Sequence, residues 1–87
     1  MSDKIELIMK DFDFTRVWKA MVATDWKWSD SESVPSITEL KSLAKKLLAD
    51  AEESKRWIRC GGFEADYNEG NLYLAFVLEH VDYEGQL

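Results

Sequence analysis

The amino-acid sequence predicts an α+β fold: two helices packed on one face of an antiparallel β-hairpin, to which an N-terminal segment could add a third strand. Three observations carry this expectation. Residues 14–22 and 37–51 each repeat apolar side chains at helical spacing. Residues 58–78 instead alternate at period two around an Asn-Glu-Gly-Asn turn. Between the two regimes, Ser36-Ile37-Thr38-Glu39 has the form of a helix-opening capping box.

Taken in order, the chain opens with Ile5, Leu7 and Met9 alternating with Lys4, Glu6 and Lys10. Ile8 breaks that alternation, so residues 4–10 read as either a short strand or an extra helical turn. Asp13 offers an N-cap carboxylate, after which Phe14, Val17, Trp18, Met21 and Val22 form one apolar stripe ending near Asp25. Trp26 and Trp28 straddle Lys27 and are followed by a polar stretch to Ser33 with no helical stripe. Pro35 holds Val34 extended, and the second helix is expected to begin at Ile37. Its core stripe is Ile37, Leu40, Ala44, Leu47, Leu48 and Ala51, widened by Leu43, with Lys41, Lys45 and Lys46 on the wet side. It should fade over Glu52–Lys55.

The remainder is β-like. Ile58 and Cys60 have even parity, whereas Phe63, Ala65 and Tyr67 have odd parity. A β-bulge at Gly61-Gly62 would absorb that one-residue shift and put all five side chains on one face. The returning strand continues the core face with Leu72, Leu74, Phe76 and Leu78. Its opposite face carries Tyr73, Ala75, Val77 and Val81, too apolar to be left wholly wet. That face is expected to be buried by residues 1–12 or across a two-fold axis.

At 87 residues with 46% hydrophobic content, the chain is expected to form one domain over 1–87, with 82–87 as a frayed tail. The beginning lacks the basic and apolar regions of a signal peptide, and no apolar run approaches a membrane span, so a cytoplasmic protein is expected. The single cysteine, Cys60, excludes an intrachain disulfide and a thiolate metal site. The single histidine, His80, lacks the companions that zinc or acid–base chemistry requires. Gly61-Gly62 lacks the Lys and further glycines of a phosphate loop. Glu64 and Asp66 share a strand face, but a chain this small shows no cleft around them. No catalytic residue, metal or cofactor is therefore expected, and the chain reads as a non-enzyme.

Charge is the strongest functional clue. All eleven Lys and Arg residues lie within the first 59 positions, where they match eleven acids, so the net charge of −6 comes entirely from the last third. There Glu64, Asp66, Glu69, Glu79, Asp82 and Glu84 are accompanied by not one Lys or Arg. A one-signed surface selects partners of the opposite sign, which points to a basic protein and away from direct contact with nucleic acid. Acids on the wet face of a strand are also ordinary solubilising decoration. Trp26 and Trp28 read first as a lid over the open end of the core, and second as an anchor for a partner.

The blocks Phe14–Met21 (FTRVWKAM), Trp26-Lys27-Trp28, Val34-Pro35-Ser36, Gly61–Ala65 (GGFEA) and Leu72–Glu79 (LYLAFVLE) resemble small uncharacterised bacteriophage-encoded accessory proteins. That resemblance covers most of the chain and carries no catalytic signature. It implies a protein that binds and blocks a host protein, including nucleic-acid-handling and defence machinery, in the host cytoplasm. Under this reading Glu64, Asp66, Glu69 and Glu79 supply steering and register, and Trp28 and Tyr73 supply contact area. The alternative is a homodimeric structural or assembly module whose apolar outer face is self-buried.

Overall fold

A computed structural model describes residues 3–28 and 31–77. It contains three helices and a three-stranded antiparallel sheet, so the fold is α+β. The helices are α1 (Asp3–Asp11), α2 (Phe14–Thr24) and α3 (Ile37–Ser54), and the strands are β1 (Ile58–Cys60), β2 (Phe63–Asn68) and β3 (Asn71–Phe76). The sheet is a meander in the order β1-β2-β3. No helix among the described residues is long and apolar enough to cross a membrane.

The N-terminal segment is a helix, not a third strand. Ile8, which interrupts the alternation, supplies the reason: Ile5, Ile8, Met9 and Phe12 recur at i, i+3, i+4 and i+7. Ile5 is buried and the other three are packed against the core. Leu7, on the opposite side of that stripe, is 60% exposed. A residue that spoils one period can thus be the marker of another.

α2 begins as its sequence predicts, with the Asp13 carboxylate accepting from the Arg16 N–H at 3.0 Å. It ends at Asp25, whose left-handed backbone (φ 53°) lets its N–H reach back to the last turn. The capping box of α3 is complete: Glu39 N–H donates to Ser36 Oγ at 3.2 Å, and Ser36 N–H donates to Glu39 Oε1 at 2.8 Å. Leu40, Ala44, Leu47, Leu48 and Ala51 are buried along α3, which lies principally across β2 at the centre of the sheet. Lys41, Lys45 and Lys46 remain exposed.

Gly61-Gly62 is a hairpin turn and not a bulge. Both glycines have positive φ, 60° and 91°, and they close the pair Cys60↔Phe63. A two-residue turn of this kind needs left-handed backbone at both central positions. It also pairs residues of opposite parity, because partners across an antiparallel ladder point to the same side. The parity shift was a sound signal of shared facing, but a chain reversal caused it. Ile58 lies opposite Ala65, and Cys60 opposite Phe63, so their side chains do share the face that packs on α3. Glu69 (φ 50°) and Gly70 (φ 85°) repeat the device and close Asn68↔Asn71.

The core lies between this face and the helices. Phe63 and Ala65 of β2 are fully buried, and Leu72 and Phe76 of β3 are buried beside them. Phe63 and Phe76 meet edge to face with ring centres 4.6 Å apart, and Phe12 and Phe14 extend the aromatic cluster. Leu78, Val81 and the tail from 82 onward lie outside the described residues.

Candidate protein-binding face

The register of β2 and β3 decides which side chains meet on the outer side of the sheet. Glu64 lies opposite Ala75, and Asp66 opposite Tyr73; on the other flank, Arg59 of β1 lies opposite Glu64. Alternation along each strand puts these residues on the side away from α3. Glu64, Asp66 and Tyr73 therefore form one contiguous patch. The helices lie on the other side, leaving Tyr73 56% exposed, with Val77 at the end of its row 44% exposed. Among the described residues, 3–12 do not cover the outer apolar strip, because α1 packs against α3 and β3 on the helical side.

The patch is only partly neutralised. Arg59 Nε stands 3.8 Å from Glu64 Oε2, a loose contact between partly exposed groups. Asp66 has no ion pair among the described residues. Lys55 is turned instead toward the Tyr67 ring, with its ammonium 4.9 Å from the ring centre. A carboxylate of β2 thus stands beside an exposed phenol of β3, a pairing suited to receiving a guanidinium or ammonium group.

Glu69 is exposed in the β2–β3 turn, at the rim of the patch. Trp28 is elsewhere. Its indole N–H donates to the Gly61 carbonyl at 3.2 Å, and its ring meets Trp26 edge-on at 5.8 Å. Trp26 in turn contacts Phe76 at 5.9 Å. The two tryptophans form a lid over the end of the core, and the structure does not bring Trp28 to the acidic face. Glu79 lies outside the described residues, as does His80.

Two exposed apolar residues escaped the sequence reading. Trp57, 53% exposed, precedes β1 with the parity of Arg59, which would have placed it on the outer row once β1 was seen as a strand of its own. Leu7 was hidden by the strand-like alternation of α1. It borders a groove of about 250 Å³ between α1 and the start of β3, lined also by Ile8, Leu72 and Tyr73.

Among the described residues, no three His, Cys, Asp or Glu side chains converge as a metal site requires. Comparison with protein-family models, curated proteins and solved structures gives no match for this chain.

Proposed function

We propose that this chain is a non-enzymatic protein-binding module that engages a basic partner through the outer face of its sheet. One observation carries the reading: Glu64, Asp66 and the exposed Tyr73 stand together on an open sheet face, in a third of the chain that has no Lys or Arg. Exposed charge of one sign accelerates encounter with a complementary surface, and an aromatic residue beside it supplies contact area. With the resemblance to bacteriophage accessory proteins, the partner is a host protein of nucleic-acid handling or defence, met in the host cytoplasm, and binding blocks it. The basic surface such a protein offers to nucleic acid is the surface an acidic sheet face would occupy.

The test is affinity capture from host lysate with the wild-type chain and with Glu64→Lys/Asp66→Lys side by side. A partner retained by the wild type, lost from the reversed variant and released by added salt supports the reading; equal retention by both chains refutes it. A second reading, a homodimeric assembly module, is favoured by the exposure of Tyr73, Val77 and Trp57 on one side of the sheet. Sedimentation equilibrium separates the two: a monomer across the micromolar range eliminates the dimer.

A further inference from the structure

We infer that α1 is the contact of a weak two-fold dimer, in which the Leu7 side of one copy packs antiparallel on that of a second and closes the groove between α1 and β3. This goes beyond the proposed function: the acidic face of the sheet stays open in such a dimer, and neither depends on the other.

The groove states what its occupant must carry. Leu7 and Ile8 of α1 and Leu72 and Tyr73 of β3 form its apolar wall, and Leu7 is 60% exposed. Its volume of about 250 Å³ suits one or two aliphatic side chains and is below the range of small-molecule sites. Lys4 is the one charged residue that lines it. The occupant therefore presents an aliphatic side chain with an acid toward the Lys4 end. α1 itself has this pattern. Lys4, Leu7, Ile8 and Asp11 fall at i, i+3, i+4 and i+7, on one face of the helix. Turned end for end, that stripe complements itself: Lys4 meets the partner's Asp11, the two Leu7–Ile8 pairs meet each other, and Asp11 meets the partner's Lys4.

The helix dipole singles out the same two charges. A helix is positive at its N-terminus and negative at its C-terminus. Asp3 and Glu6 in the first turn and Lys10 in the last complement that field. Lys4 and Asp11 oppose it, and both lie on the stripe that borders the groove. An antiparallel neighbour sets each of them beside the helix end of opposite sign. Asp11 is exposed and makes no ion pair among the described residues. The Lys4 ammonium donates to the Gly70 carbonyl, which holds it at the end of the groove with N–H groups still to offer. A partner of one sign would satisfy one of these charges and repel the other; a second copy satisfies both. The nine residues of α1 span about 13 Å, too short to bury the roughly 1,200 Å² of a stable interface, so the dimer is weak and reversible.

The test is sedimentation velocity of the full chain between about 0.1 and 1 mM at low salt. The wild type should pass reversibly from monomer toward dimer. Leu7→Gln, at an exposed position, should weaken association about tenfold, the scale for losing one buried aliphatic contact. Lys4→Glu and Asp11→Lys each set like charges against each other in the dimer, and each agrees better than the native residue with the dipole of α1. Either chain alone should therefore remain a folded monomer by circular dichroism. Mixed in equal amounts they should associate, because an all-acidic stripe then meets an all-basic one. Glu64→Lys/Asp66→Lys should dimerise as the wild type does. A wild type that stays monomeric at 1 mM overturns the inference, as does a mixture no heavier than its separate components. A dimer that survives Leu7→Gln, or that only the Glu64→Lys/Asp66→Lys reversal disrupts, overturns it in favour of the outer face of the sheet.

Discussion

Gly61→Ala should be far more damaging than an exposed turn position suggests. The backbone there is left-handed at φ 60°, which an L side chain adopts at about 1–2 kcal/mol. A second cost comes from space. A Cβ at residue 61 would lie 2.6 Å from Trp28 Nε1 and 3.0 Å from Leu43 Cδ2. The indole must withdraw, and its hydrogen bond to the Gly61 carbonyl, worth about 0.5–1.5 kcal/mol, goes with it. The combined loss is about 1.5–3.5 kcal/mol. Gly70→Ala is the internal standard: its φ of 85° imposes the same kind of strain, but a Cβ there meets nothing within 4 Å. Urea denaturation followed by far-UV circular dichroism measures both variants. The decisive result is the difference: Gly61→Ala should lose at least about 0.5–1.5 kcal/mol more than Gly70→Ala, and most of that excess should disappear in a Trp28→Leu background, leaving only the Leu43 contact. Equal losses in the wild-type background would mean that Trp28 is not seated on the turn.

Ser36→Ala should cost about 0.5–2 kcal/mol by breaking the capping box, whereas Ser33→Ala should cost almost nothing by the same denaturation assay. Glu64→Lys/Asp66→Lys should change stability by less than about 1 kcal/mol, because the Arg59–Glu64 contact is loose and only partly buried. The same reversal should slow association with a captured partner, an effect that shrinks as salt screens charges beyond about 8 Å. Surface kinetics at two salt concentrations read this, with Lys45→Glu/Lys46→Glu as the control expected to do little.

What the sequence disclosed follows from how local each signal is. The capping box at Ser36 involves four consecutive residues and neighbouring backbone, so α3 was legible to its first residue. The stripe of α2 and its Asp13 cap were legible for the same reason, except that Val22, expected on the stripe, is 48% exposed. α1 was ambiguous because Ile5, Leu7 and Met9 satisfy period two while Ile5, Ile8, Met9 and Phe12 satisfy the helical period. Packing against α3 and β3 settles the matter, and packing is not written in nine residues. Gly61-Gly62 failed differently: bulge and two-residue turn produce the same parity shift, and only the partner of Ile58 distinguishes them. The acidic patch was legible because Asn68–Asn71 fixes the β2–β3 register, which brings Asp66 to Tyr73. The position of Trp28 depended on that misread glycine turn, whose carbonyl holds it. Neither the groove at Leu7 nor the exposure of Trp57 could be seen before α1 and β1 were assigned.

The seat of Trp28 on the glycine turn has a practical side. Cys60 is the one cysteine of the chain, exposed, and immediately precedes the glycine whose carbonyl holds the indole. A maleimide dye can be attached there without engineering any other position. Because indole quenches many oxazine and xanthene dyes on contact, emission from such a label would rise each time the tryptophan lifts from the turn. Single-molecule recording could then time the opening of the lid, with Trp28→Leu as the reference that isolates any quenching by the exposed Trp57.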